Sequence, residues 1–308
     1  MRLETSLSPS EVLAQVAGAV PPDVRGNVII IGSLAAGYHF FAGHGARAIR
    51  TKDVDCLFSP HSKAIAVAAE VTDHLIRADW KLREGSEWSQ PGKKEDDETD
   101  LPMVRLRPPG ETTTPWFLEL LSAPPVFEPG APGKKLRRVE TSIGHFAICS
   151  FDFLALAEWE PLDTMYGVRI ARPEMMALAN LLHHPAIADT LIVDTDWKRS
   201  NKDLGRVLAL AYLTNRRDRR EGTDEFDAWA GRMWIALKAK FGDHADQLAA
   251  RAGVGMRALL ASRADLEQAL RIVNLGLLAS MDVSMEAFLA TGARFMAEVI
   301  DELEQLAH

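Results

Sequence analysis

Val28–Phe40, VIIIGSLAAGYHF, and Arg50–Phe58, RTKDVDCLF, decide how this chain folds. The first opens on the β-branched run Val28–Ile31 and closes abruptly at Gly32-Ser33. A short apolar run ended by glycine predicts a buried strand. Ser33–Phe41, rich in Ala, Leu and aromatics, predicts a helix that stops around Gly43–Gly45. In the second stretch Asp53 and Asp55 sit in the apolar frame of Val54, Cys56, Leu57 and Phe58, which predicts a strand over 53–58. Strand side chains alternate faces, so the two carboxylates point the same way. A strand that passes through Gly-Ser into a helix aims backbone N–H groups and a helix N-terminus at one small volume. That is an anion site, to which Ser33 adds a hydroxyl. Two like charges on a half-buried surface are tolerated mainly where a cation or hydrogen-bond donors compensate. Magnesium takes carboxylates together with substrate phosphates, so the stretch points to a magnesium–nucleotide site. It is not a P-loop, because no Gly-x4-Gly-Lys-Ser/Thr pattern occurs.

Outward from this stretch, Ser8-Pro9-Ser10-Glu11 followed by Val12, Leu13 and Val16 predicts a capped amphipathic helix that Pro21-Pro22 ends. Downstream, Ser62–Trp80 predicts a helix on Ile65, Val67, Val71 and Leu75. Lys81–Trp88 and Met103–Arg107 read as strands around a solvated acidic loop at Glu95–Asp100. Trp116–Leu121 reads as a strand between Pro- and Gly-rich segments at 108–110 and 124–133, and Arg138–Phe151 and Tyr166–Ala171 as further strands. From Pro173 the chain is expected to be almost wholly helical, with apolar residues at helical spacing in 174–183, 204–214, 224–241, 243–252, 264–278 and 284–307. The fold class is therefore α+β: a mixed sheet flanked by helices, then an all-α C-terminal domain. The boundary is placed near 165–172, giving domains 1–170 and 171–308.

Trp116–Leu121 carries Glu119 in the middle of a run that is apolar on both faces. A carboxylate there is costly unless paired or liganded. Either it meets Arg105 or Arg107, or it is a third acidic residue that completes a metal site or takes a proton from an attacking hydroxyl. Lys134, Lys135, Arg137 and Arg138 form a basic cluster that suits either a solvated loop or contacts to nucleotide phosphates or an RNA acceptor. His183-His184 lacks an i+4 partner and reads as a pair of helix-end histidines. Arg216–Arg220 reads as a favourable helix C-terminus, and Trp229 and Trp234 as packing residues.

The formal net charge of −8 argues against a surface built throughout to grip nucleic acid, without excluding a local basic patch. With two cysteines, Cys56 and Cys149, neither a disulfide framework nor a four-cysteine zinc site is expected. No secretory leader and no membrane span is expected either, so the expected compartment is the cytoplasm.

Taken together, these residues resemble the nucleotidyltransferases of the polymerase-β type. A Gly-Ser turn opens a helix, an Asp-x-Asp strand follows, and a third acidic residue lies on a neighbouring strand. The wording IIGSLAAGYH followed by RTKDVDCLF is most similar to the minimal bacterial branch that includes the AbiEii-type toxins of type IV toxin–antitoxin systems. Arg50 and Thr51 match the Arg, Thr or Ser often found ahead of Asp-x-Asp there. Tyr166–Ile170, the proline-led Pro173–Leu178 and the helix start Arg199–Leu204 match the branch further on. Two features depart: the gap from Gly32 to Asp53 is longer, and Asn180 stands where Lys is frequent. The resemblance implies that Gly32 and Ser33 hold a triphosphate, that Asp53 and Asp55 bind Mg2+, and that Glu119 is the third carboxylate. Lys202 and Asp203 would line the nucleotide side of a cleft that the helical domain closes. It implies transfer of an NMP from an NTP to a hydroxyl of RNA (tRNA included) or protein, with an antitoxin protein as partner where the chain acts as a toxin. A small-molecule acceptor of antibiotic type and a non-catalytic nucleotide-binding regulator on the same fold are the alternatives.

Overall fold

Asp53–Phe58 is paired along both edges, and the sheet grows outward from it. The computed structural model describes residues 6–42, 49–83, 90–110, 116–124, 127, 135–188 and 190–308. In chain order the residues up to Ala171 hold β1 (Ser6–Leu7), α1 (Pro9–Ala19), β2 (Val28–Ile31), α2 (Gly32–Phe41), β3 (Ile49–Arg50), β4 (Asp53–Phe58) and α3 (His61–Arg77). They continue with β5 (Lys81–Leu82), β6 (Arg105–Arg107), β7 (Phe117–Ser122), β8 (Lys135–Thr141), β9 (Gly144–Ser150), β10 (Leu162–Asp163) and β11 (Arg169–Ile170). Among the described residues these strands give a mixed sheet in the order β10-β11-β2-β4-β7-β6-β5. β4 runs antiparallel to β2 and parallel to β7, and β7 runs antiparallel to β6. Beyond its register with β6, β7 continues at Leu121 and Ser122 into parallel pairing with β9, which carries β8 on its far edge.

Burial alternates along the central strands. Val54, Cys56, Leu106, Leu118 and Leu120 are buried, whereas Asp53, Asp55, Arg105, Arg107 and Glu119 are partly exposed. A pleated sheet produces this pattern when one face is packed and the other is partly open. The helix α3 fits its role by sequence, burying Ala64, Val67, Ala68, Val71 and Leu75 along one stripe. At α1 the expected cap is in place: the Glu11 N–H donates to Ser8 Oγ at 3.5 Å.

The chain then becomes largely helical: α4 (Pro173–His183), α5 (Arg199–Glu221), α6 (Trp229–Phe241), α7 (Ala245–Ala252), α8 (Val254–Ala261), α9 (Arg263–Leu275), α10 (Met285–Phe295) and α11 (Asp301–Leu306). Phe226, Trp229, Phe288 and Phe295 are fully buried here, with the Trp229 and Phe295 rings edge-on at 6.3 Å. The chain forms two compact units: Arg172–His308 with His39–Arg50, and Glu4–Tyr38 with Thr51–Ala171. The His39–Arg50 segment groups with the helical unit.

Several elements differ from expectation. Arg138–Phe151 is not one strand but most of a hairpin: the end of β8, a turn at Ser142-Ile143, where the Thr141 hydroxyl donates to the Gly144 carbonyl at 2.8 Å, and β9. α5 exceeds the apolar periodicity of 204–214: it starts at Arg199, where the resemblance put a helix start, and ends at Gly222 in the left-handed conformation just past Arg216–Arg220, read as a helix C-terminus. α8 occupies a stretch expected to be a connection. A π-helical segment, Met296–Ile300, divides the single helix expected at the C-terminus. Among the described residues, no helix is long and apolar enough to cross a membrane.

Candidate active site

Register aligns the site. Ile31, Asp55, Glu119 and Arg105 occupy one row across β2, β4, β7 and β6, and Asp53 pairs with Phe117 in the next row on the same face. Gly32 begins α2 with φ at +70°, and a Cβ on it would stand 3.0 Å from Asp55 Oδ2. An L side chain rarely adopts that conformation, and none would fit without moving the carboxylate. The start of α2 therefore lies against an Asp55 oxygen, with Ser33 as the second helical residue. A carboxylate at a helix N-terminus sits at the favourable end of the macrodipole.

Thr51, buried just ahead of β4, orients the other carboxylate. Its hydroxyl lies 2.9 Å from Asp53 Oδ1 and 3.1 Å from the Asp53 carbonyl oxygen. Glu119 is held differently. Arg105 Nε donates to its Oε2 at 2.9 Å and Arg105 Nη2 to its Oε1 at 3.3 Å, a two-pronged pair with 14% of the Glu119 side chain exposed. Of the two arginines considered from sequence, the geometry selects Arg105. Cys56, on the packed face, has its thiol pushed up by burial and then by the Asp55 charge, so it is no nucleophile.

Among the described residues, no group of three or more His, Cys, Asp or Glu side chains is arranged to hold a metal ion. The donor chemistry of Asp53 and Asp55 nevertheless fits a hard cation, which needs one or two carboxylates beside substrate phosphates. Glu119 does not fit that set as arranged, since both of its oxygens are engaged by Arg105.

The remaining expected residues fall elsewhere. Arg50 ends β3 within the helical unit, and its N–H donates to the Gly276 carbonyl at 3.3 Å. Lys202 and Asp203 lie in the first turns of α5, and Asp203 Oδ2 is 3.2 Å from Nδ1 of His183, the last residue of α4. Lys134 lies outside the described residues. Lys135, Arg137 and Arg138 are on β8, which reaches β7 only through β9. The Arg138 guanidinium is already spent on the backbone carbonyls of Lys93, at 3.3 Å, and Asp96.

Three features escaped the sequence reading. Arg83 places its Cζ 4.2 Å from the Phe117 ring centroid, beside Arg105. Glu174, almost fully buried, lies 3.4 Å from Arg232 and 3.7 Å from Arg172, and burial raises its carboxyl pKa against their pull. His39 Nε2 is 2.8 Å from Arg217 Nη1. A guanidinium only donates, so Nε2 is the acceptor and the imidazole is neutral. Burial first, then Arg217, lowers its pKa from 6.5 to about 4. Only the cation–Leu–cation spacing around Arg83 left a trace in the sequence.

No family model matches this chain, and no curated protein and no solved structure matches it.

Proposed function

We propose that this chain is a magnesium-dependent nucleotidyltransferase that moves an NMP from an NTP to a hydroxyl acceptor. The observation that carries the reading is the approach of Gly32 to Asp55: a positive-φ glycine sets a helix N-terminus against one of two carboxylates sharing a half-open sheet face. Phosphate and a carboxylate-bound cation are attracted to the two halves of such a corner.

Each residue then has a defined task. The first N–H groups of α2 and the Ser33 hydroxyl bind phosphate oxygens. Asp53, steadied by Thr51, and Asp55, steadied by the helix start, are the cation-holding pair. Magnesium bound there would neutralise charge on the triphosphate as pyrophosphate leaves. Glu119 belongs with Arg105, whose guanidinium engages both of its oxygens, so it stands beside the pair without joining it. Holding donor and acceptor in one geometry supplies most of what this reaction needs from a protein.

The test is incubation with each radiolabelled NTP, with and without Mg2+, in the presence of total RNA and protein. Wild-type chain labels an acceptor only with Mg2+, and Asp53→Ala/Asp55→Ala labels nothing. The double variant should keep the circular dichroism of the folded wild type, so that lost labelling reads as lost chemistry and not as unfolding. Undiminished labelling by that variant would overturn the reading. Mg2+-dependent nucleotide binding without any transfer would leave the regulatory alternative in its place.

A further inference from the structure

Two tripeptides repeat the same pattern, Lys81-Leu82-Arg83 and Arg105-Leu106-Arg107, and the sheet sets one against the other. Lys81 pairs with Arg107 and Leu82 with Leu106 in antiparallel register, and the Arg83 N–H donates to the Arg105 carbonyl at 3.0 Å. Alternation buries Leu106 on the packed face and puts the four cations on the face that carries Asp53, Asp55 and Glu119. The ring contacts agree: Arg83 and Arg105 place Cζ at 4.2 Å and 5.7 Å from the same Phe117 ring.

Like charges directly opposite each other destabilise a sheet. Here two such pairs follow one another at the end of the sheet. Arg105 is neutralised by Glu119 and Lys81 by Asp79. Arg83 and Arg107 make no ion pair among the described residues. Arg83 is also partly desolvated, and burial followed by the charges of Arg105 and Arg107 lowers its pKa against the smaller opposing fields of Glu119 and Asp53. A partly buried guanidinium facing two others is an arrangement that an external anion would relieve.

We infer that this block binds the phosphate backbone of a single-stranded nucleic acid. Same-face positions along a strand repeat at about 6.6 Å, so the cations form a ladder suited to a chain of anions more than to one compact ion. Arginine forks match phosphate oxygens, and guanidinium planes offer unpaired bases a stacking surface. The chain as a whole carries −8, so the block is a local island of positive charge that steers a polyanion to this edge. The same rows lead on to Glu119 and Asp55, which places the bound strand beside the carboxylate pair. Binding stands independently of any reaction; only the strand's role as acceptor rests on the transfer reading above.

The experiment is fluorescence anisotropy of labelled single-stranded RNA and DNA oligonucleotides, without NTP, over a series of salt concentrations. The proteins are wild type, Arg83→Gln/Arg107→Gln, and a control that removes two exposed cations of α3, Lys63→Gln/Arg77→Gln. Arg105 is left intact because it neutralises Glu119. Wild type and the control should bind alike. The Arg83/Arg107 variant, with unchanged circular dichroism and melting temperature, should bind at least about tenfold more weakly. Its log–log salt slope should be shallower by about 1.4, at about 0.7 per lost single-strand phosphate contact. Binding of both polymers supports a backbone site, and a preference for RNA adds a contact to the 2′-hydroxyl. Equal binding by the Arg83/Arg107 variant, or poly-glutamate competing as well as the oligonucleotides, would overturn the inference. Strand binding that persists where no transfer occurs upholds this site and removes only the reaction.

Discussion

Gly32 meets two demands at once: a backbone φ of +70° and a carboxylate oxygen 3.0 Å from where a Cβ would stand. Gly32→Ala should therefore lower stability by about 1–2 kcal/mol, the cost of a left-handed conformation for an L residue. It should also weaken nucleotide binding by displacing Asp55. Urea denaturation and Mg2+–NTP thermal shifts measure the two effects, and a variant as stable and as responsive as wild type would deny Gly32 this role. The corner of the site was legible because it rests on local rules, a strand closed by Gly-Ser and an Asp-x-Asp period of two. Glu119 was legible as an anomaly but not in its partner, because Arg105 and Arg107 lie equally near in sequence and only register brings Arg105 opposite. His39 and Glu174 could not be read at all. Their environments come from arginines at 217 and 232, far along the chain.

Elements show the same division. β4 runs from Asp53 to Phe58 as its apolar frame predicts, and α4 starts at its proline. Apolar periodicity alone did not reach the ends of α5, which are polar; the helix start at Arg199 and the basic C-terminus at Arg216–Arg220 were read from other signals. The lengthened α5 also packs closely on α9. A Cβ at Gly205 would stand 3.1 Å from the Ala269 carbonyl oxygen and 3.2 Å from Val273, whereas one at Gly231 in α6 would meet nothing within 4 Å. Alanine gains about 0.5–1 kcal/mol over glycine in a helix interior. Overpacking costs about 1–3 kcal/mol. Gly231→Ala should therefore raise the melting temperature and Gly205→Ala should lower it. Shifts of the same sign would show that α5 and α9 are not set by this contact.

Across the whole molecule, an acidic chain meets falling pH with groups that pull in opposite directions. His39 is held neutral first by burial and then by Arg217; the opposing field of Glu225 exceeds the help from Arg172, and Glu221 opposes least. Its folded pKa, about 4, lies below its ordinary 6.5, so the folded state resists the proton that the unfolded chain accepts. The stability it confers is complete above pH 6.5 and is lost as pH falls from there toward about 4. A shift of that size corresponds to about 3–4 kcal/mol. Glu174 acts with the opposite sign: its raised carboxyl pKa makes folding favour the protonated form, so its contribution grows as pH drops toward the ordinary value of 4.5. The raw acid profile mixes the two, and a comparison with His39→Gln separates them. That variant keeps a neutral polar side chain at the position and cannot titrate. Between pH 7.5 and pH 4.5, urea midpoints should fall more steeply for wild type than for His39→Gln, with most of the divergence below pH 6.5. Parallel curves would mean that His39 takes up its proton as readily in the folded chain as in the unfolded one, and that the Arg217 contact does not hold it neutral in solution.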